Sequence, residues 1–337
     1  MSDGGLVVIG SGPAGVAAAT AYRDAGGDGP VRLFTADPDL PYERPPLSKD
    51  VLRGASDVDD TFLHEPDYYR QRGIEIQLAT PVAAVLPGQS AVRLTDGRLI
   101  TYDSCVLATG SAPVRPAIPG AQTAHVLRSR REAIALAAAA DHATTAVVAG
   151  SGFIGCEAAA SLAARGLAVT MVTEEARPQQ ARLGPWAGEQ IAAWLHAAGV
   201  ELLAEDRLAE IGADFARTEA GLRRPADLVL LATGVNPQGA LAAEAGLAMQ
   251  DGRVRVTADM RTSSPTVFAA GDIAFAVNAS ARRGITVEHW RDALTMGEIA
   301  GRSAAGQRAE WSQAPGFWST IGDHTLKYAA WGDGFDD

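Results

Sequence analysis

The apolar and polar positions of this 337-residue chain trace one pattern twice. Leu6-Val7-Val8-Ile9 is an unbroken apolar run that leads into Gly10-Ser11-Gly12-Pro13-Ala14-Gly15. An alanine-rich stretch to about Ala25 follows, and then the run Val31 to Phe34. The order returns as Ala146 to Ala149, Gly150-Ser151-Gly152-Phe153-Ile154-Gly155, an alanine-rich stretch to about Arg165, and the run Ala168 to Val172. Strand, glycine turn, helix and strand open a parallel α/β sheet. From Ile74 to Leu107 the runs shorten and are cut by Pro87-Gly88 and Asp96-Gly97, which predicts an antiparallel excursion. Buried strands then exit into Thr109-Gly110, Thr233-Gly234 and Ala270-Gly271-Asp272, and a helix is expected from about Arg291 to Ala305.

Past Gly306 the pattern changes. Phe317-Trp318-Ser319 and Leu326 to Trp331 read as the first strands of a third, smaller unit. The turn at Asp333-Gly334 has no strand after it, so this unit is expected to be truncated or vestigial.

Composition narrows the class. A hydrophobic share of 47% and a charged share of 20% suit a soluble chain of two or three domains. No run of about eighteen apolar residues suggests a membrane span. Ser2 and Asp3 stand where a signal peptide needs positive charge, so the cytoplasm is the expected compartment. The two cysteines, Cys105 and Cys156, lie in apolar segments and suggest neither a disulfide framework nor a metal site. The net charge of -11 argues against nucleic acid as a bulk partner, although Arg128, Arg130 and Arg131 are expected to form a local basic patch.

The glycine turns carry the chemistry. Gly10 makes the tight turn, Gly12 lets backbone approach a pyrophosphate, and Gly15 lets helix and strand pack closely. The phosphates then meet free N–H groups at the positive end of a helix. Asp37, 22 residues past Gly15, is placed to bind ribose hydroxyls. Gly150, Gly152 and Gly155 repeat the arrangement, with Thr173, Glu174 and Glu175 at the end of their second strand. Thr173 stands at the ribose-facing slot with Glu174 beside it. Either carboxylate would repel a 2′-phosphate, which favours NADH over NADPH, whereas Arg177 is the residue that speaks for NADPH. Two such sites in one chain imply a resident flavin and a visiting nicotinamide, stacked for hydride transfer.

Pro41-Tyr42-Glu43-Arg44-Pro45-Pro46-Leu47-Ser48-Lys49 resembles the signature of the FAD-dependent ferredoxin reductases of oxygenase systems. Ala108-Thr109-Gly110-Ser111-Ala112-Pro113, Ala232-Thr233-Gly234 and Ala270-Gly271-Asp272 resemble that family's other flavin motifs. Phe153-Ile154-Gly155-Cys156-Glu157 resembles its nicotinamide-site motif. The resemblance implies a glutathione-reductase-like α/β fold with two Rossmann-type domains. Residues 1–114 and 236–307 would form the FAD domain, 115–235 the NAD(P) domain, and 308–337 the start of a short α+β C-terminal domain.

The same resemblance implies roles. Arg44 and Lys49 would lie beside the isoalloxazine, Lys49 near N5, and Val82 would touch the adenine end by its backbone. Arg128 would hold a phosphate or the ring edge, Asp272 the ribityl or pyrophosphate region, and Trp290 would cover the pyrimidine side. Pro13, Ala14 and Gly234 belong to the cofactor motifs. Glu157 and Glu288 would line the nicotinamide pocket and, with Lys49, act in catalysis. Disulfide reductases of this fold carry paired cysteines after the first unit, where Pro45 to Leu52 has none. Electrons are therefore expected to leave singly for an acidic iron–sulfur ferredoxin that binds transiently to a monomer or homodimer. The alternatives are a signalling flavoprotein of the apoptosis-inducing-factor kind and a monodehydroascorbate or rubredoxin reductase.

Overall fold

Gly10 leaves its strand at φ +110° and Gly150 at φ +98°, and a Cβ on either would stand 2.3 Å from a carbonyl oxygen of the neighbouring segment, Ala108 or Ala232. Glycine alone takes so sharp a turn that close to another backbone. Each turn starts a helix, Pro13–Asp24 or Phe153–Ala164. In the first, Pro13 fills a position whose N–H has no intrahelical partner.

The computed structural model describes residues 4–332, so the Asp333-Gly334 turn lies outside the described residues. The first parallel sheet runs in the order Val267–Ala269, Ser104–Leu107, Leu6–Ile9, Val31–Phe34, Ile74–Gln77. Its central strand Leu6–Ile9 is buried on both faces, as its unbroken apolar run requires. The expected antiparallel excursion is present as Val82–Leu86, Ala91–Leu94 and Leu99–Thr101, but Ile74–Gln77 joins the parallel sheet instead. The second parallel sheet runs Val200–Leu203, Ala168–Val172, Thr145–Ala149, Leu228–Leu231. It carries its own antiparallel insertion, Leu208–Ile211, Phe215–Thr218 and Arg223–Pro225, which the sequence pattern does not separate.

The chain crosses between the units twice. Just past the two Thr-Gly exits, Ser111–Pro113 pairs antiparallel with Val235–Pro237, so the crossings brace each other. The helix Trp290–Ala304 then lies on Pro13–Asp24. Gly297 and Gly301 permit this: a Cβ on either would stand 2.2 Å from a carbonyl oxygen, of Ala14 or Ala18. A terminal hairpin, Gly316–Ile321 with His324–Ala329, closes over both units. Among the described residues, no helix is long and apolar enough to cross a membrane.

Candidate active site

The first glycine turn and the beginnings of both glycine helices converge on one cavity that is partly open to solvent. Gly12, Pro13 and Ala14 form one wall, with Ala108-Thr109-Gly110 and Gly271-Asp272 beside them. Arg44 and Lys49 enter from the two ends of a short 3-10 turn, Pro45–Ser48, whose prolines hold the loop in shape. The second unit contributes Phe153, Ile154 and Glu157, while Arg128 comes from the connection between units. Glu288 and Trp290 stand at the start of the C-terminal helix, and Phe317 and Trp318 reach in from the hairpin.

Charge is arranged in two groups. Asp272 Oδ2 accepts from Ser111 Oγ at 2.6 Å and is ion-paired with Arg128. The Arg128 Nε is buried without a partner. The Arg44 guanidinium has no hydrogen bond or ion pair among the described residues, and burial together with the Arg128 charge pulls its pKa below the usual arginine range. Of the two guanidiniums only that of Arg128 is paired with the Asp272 carboxylate, which leaves positive charge that an anion would neutralise.

The second group centres on Glu157, which is only 5% exposed. Its Oε2 accepts from Ser48 Oγ at 2.5 Å and Lys49 Nζ at 2.7 Å, and its Oε1 from Ser319 Oγ at 2.7 Å. One carboxylate thus ties the flavin-motif loop, the second glycine helix and the terminal hairpin together. A buried carboxylate with all its partners in place is held in one position.

A second cleft opens beside Gly152 and is lined by Glu175, Gln179 and Arg182. Glu288 and His289 line both cavities and separate them. Glu288 is paired with Arg253 Nη2 at 2.5 Å, whose Nε donates to the Asp272 carbonyl at 3.1 Å. Burial, with the nearby Arg182 charge, pulls His289 down to about 4, so its ring is neutral at pH 7. Phe317 lies 4.4 Å from the His289 ring and 4.4 Å from the Phe153 ring, bridging the two units.

Several sequence-predicted residues lie off the cavity walls. Gly10, Gly15, Gly150 and Gly155 shape the turns beneath them, and Gly234 sits at the crossing between units, its carbonyl accepting from Val114 N–H. The Asp37 carboxylate accepts from Tyr42 OH at 2.8 Å and Asp39 N–H at 3.1 Å. Val82 begins an antiparallel strand. Thr173 is buried with its hydroxyl against Ser151 at 2.6 Å, and Glu174 is exposed and paired with Arg207 at 2.7 Å. The expected basic patch is corrected: Arg128 is bound to Asp272 inside the cavity, and Arg130 pairs with Asp39 and Asp59, because carboxylates of distant segments fold onto them. Both cysteines are fully buried, burial pushes their thiols up, and neither lines the cavity.

Ser48, Ser111, Arg253, His289 and Ser319 were not singled out by sequence reasoning. Ser48 and Ser111 lie inside motifs recognised in the sequence, without a role of their own being read there. The others act through partners far away in the chain, and no local spacing marks them.

Residues 5–297 match the model of the family described as pyridine nucleotide-disulphide oxidoreductase. The chain is 31% identical over 329 residues to a rubredoxin-NAD(+) reductase of Pseudomonas putida, covering 96% of this chain and 85% of that protein. It is 32% identical over 339 residues to the ferredoxin--NAD(+) reductase component of the anthranilate 1,2-dioxygenase system of Burkholderia cepacia, covering 97% and 82%. Among solved structures, the covalent putidaredoxin reductase–putidaredoxin complex matches with a TM-score of 0.94 at 28% identity, over 100% of this chain and 84% of the matched chain. Two Rossmann-type units with crossed connections are the architecture these similarities share. The chain belongs to the pyridine nucleotide-disulphide oxidoreductase family, as a flavoprotein oxidoreductase that works with FAD and NAD(H).

Proposed function

We propose that this protein takes a hydride from NADH onto FAD and passes electrons singly to a ferredoxin that serves an oxygenase. Residues 1–114 and 236–307 act as the FAD domain, 115–235 as the NAD domain, and 308–337 as the start of a C-terminal domain. The two buried, unpaired thiols accord with a reducing cytoplasm.

FAD fits the first cavity. A Cβ at Gly12 would meet only Arg44, at 3.8 Å, so the glycine leaves room where a diphosphate needs close backbone. Arg44 and Arg128 supply the charge to hold it. When bound, FAD accepts a two-electron hydride and releases single electrons. Lys49, fixed by Glu157, keeps a cation at that wall. Glu288 and His289 stand where a nicotinamide entering from the second cleft would meet the first cavity, and a neutral imidazole offers a hydrogen bond there without a competing charge. The Phe153, Phe317 and His289 rings exclude water from this junction.

The observation that carries the reading is the pair of nucleotide-type cavities sharing one wall, with no sulfur in it. Electrons then need an external acceptor, and Trp318, lining the cavity while 47% exposed, marks its outer edge. Anaerobic titration should bleach the flavin spectrum with about one NADH per chain, and ferredoxin should restore it and drive cytochrome c reduction. Rapid bleaching with no turnover by any ferredoxin would overturn the acceptor assignment.

A further inference from the structure

The loop that carries Arg44 and Lys49 belongs to the first unit by sequence and to the second by packing. Leu47, Val51 and Leu52 are buried in the apolar cluster of the second unit, with Leu136, Leu162 and Leu195, and not in the cluster around the first sheet. One side of the second glycine helix, Phe153–Ala164, also grips the polar atoms of the loop. Glu157, Ser161 and the capping Arg165 follow at steps of four, so their side chains leave the helix one above another. Glu157 takes Ser48 Oγ and Lys49 Nζ. The buried Ser161 Oγ donates to the Ser48 carbonyl at 2.8 Å. Arg165 Nη1 donates to the Leu52 carbonyl at 2.8 Å, while its Nη2 is ion-paired with Asp141.

Of these three, Glu157 lines the first cavity, and Ser161 and Arg165 do not. The latter two hold main chain for which the loop has no substitute. Ser48 and Leu52 are buried, and their carbonyls have no other partner among the described residues. A buried carbonyl stripped of its donor costs more than the bond itself contributes, so the segment would have to turn toward water. Such a turn would carry Lys49 with it. Lys49 N–H and Val51 N–H both donate to the Pro46 carbonyl, and Arg53 N–H to the Lys49 carbonyl, which makes the segment one body.

Resting on the FAD reading above, we propose that Ser161 and Arg165, which stand in the second unit and touch no cofactor cavity wall of the first, are positioning residues of the flavin site. They fix the main chain of the Ser48 to Leu52 segment, so that Lys49 faces the cavity and closes its ion pair with Glu157 there. The flavin is thus gripped by a segment of the first unit that is anchored in the second.

The test follows the flavin itself, apart from turnover. S161A should raise the FAD dissociation constant at least about fivefold, the scale of one buried hydrogen bond, measured by fluorescence of free FAD where circular dichroism shows the variant folded. It should also lower the flavin midpoint potential, because the Lys49 cation that favours the reduced, anionic flavin loses its fixed place. S161T keeps the hydroxyl and should restore the affinity to within about twofold and the potential to its wild-type value. R165M keeps the apolar stem without the donor, and should shift both quantities in the same directions as S161A. A role in packing alone would lower the melting temperatures of S161A and R165M and leave affinity and potential at their wild-type values, and that result overturns the proposal. If S161A does not fold, R165M decides it by the same two readouts. Wild type that takes up no FAD overturns the FAD reading instead.

Discussion

The first and second glycine units repeat one pattern of parallel strand, turn, helix and Ser–Thr hydroxyl contact in separate sheets, yet the surroundings of their turns differ. In the first, the acid after the second strand has both oxygens engaged by Tyr42 and Asp39, and two arginines stand over the turn. In the second, Glu175 keeps one oxygen without a partner among the described residues, and of the described residues lining the cleft beside it only Arg182 carries a cation. Under the proposed function, the same turn chemistry supports a resident at one site and a visitor at the other. The difference lies in how many fixed charges face the phosphates, and in the loop and hairpin that close over the first cavity.

The largest effect that would break this comparison is at the turns themselves. Gly12→Val places two methyl groups where the diphosphate must lie, and should leave the protein with less than about a tenth of its FAD, at least 1.4 kcal/mol in binding. Gly152→Val should leave the flavin in place and abolish reduction by NADH. Absorbance of heat-released cofactor and stopped-flow reduction read the two. Loss of flavin from the Gly152 variant with retention in the Gly12 variant would exchange the roles of the units.

A smaller effect sharpens the role of fixed charge. Arg128→Ala removes the ion-pair partner of Asp272, leaving that buried carboxylate with Ser111 alone. FAD should dissociate about 100-fold more readily, from about 3 kcal/mol of lost pairing and phosphate contact. Fluorescence of released FAD during dilution measures it, and an unchanged dissociation constant would place the phosphates away from Arg128.

The hairpin that closes the first cavity yields a pH-dependent prediction. Asp292 accepts from Gly316 N–H at 3.2 Å, and burial raises its pKa to about 6, against smaller lowering by that N–H and by Arg291. Its folded value lies above the unfolded one of about 3.9. The favourable contribution is therefore complete below about pH 4 and is lost as pH rises through 6. Asp292→Asn keeps an acceptor without the charge, and should raise the melting temperature at pH 8 by a few degrees, on the order of 1–2 kcal/mol, while changing little at pH 4. A gain that is equal at both pH values would locate its cause outside this carboxyl.

What the sequence shows of this molecule is what local spacing determines. Glycine triplets, the Arg44 to Lys49 loop and the Ala-Gly-Asp exit are contiguous, and they account for most of the cavity walls. The pairs that complete the site are not contiguous: Ser319 meets Glu157 across 162 residues and Ser111 meets Asp272 across 161. Nothing in a run of residues signals such a meeting. By charge alone Arg128 and Arg130 read as a surface patch because their carboxylate partners come from other segments, and only the family resemblance put Arg128 beside the flavin. Glu174 and Glu175 could not be told apart because the loop between helix and strand is shorter in the second unit, residues 165–167 against 25–30, and this shifts the count from the glycines.

The smallest expected effect concerns sulfur, and it closes the comparison from the other side. Each unit holds one cysteine at equal depth: Cys105 in a central strand of the first sheet and Cys156 in the second glycine helix. Cys156 lies between Ile154 and Glu157, which reach the cavity, but it faces the core instead, with its Sγ 3.3 Å from the Ser151 carbonyl oxygen, the same carbonyl that accepts from Gln179 Nε2 at 2.9 Å. Burial raises both thiols, so neither offers a thiolate near pH 7. A disulfide-reducing mechanism needs a sulfur against the flavin, and Pro45 to Leu52 supplies none. Cys105→Ala and Cys156→Ala should each keep flavin reduction and acceptor turnover within about twofold, while costing about 1 kcal/mol of stability as small buried side chains are trimmed. Thiol-blocking reagents should leave the folded enzyme active. A Cys156 variant that retains FAD and its melting temperature but loses turnover would give the second unit a redox role that its geometry otherwise denies.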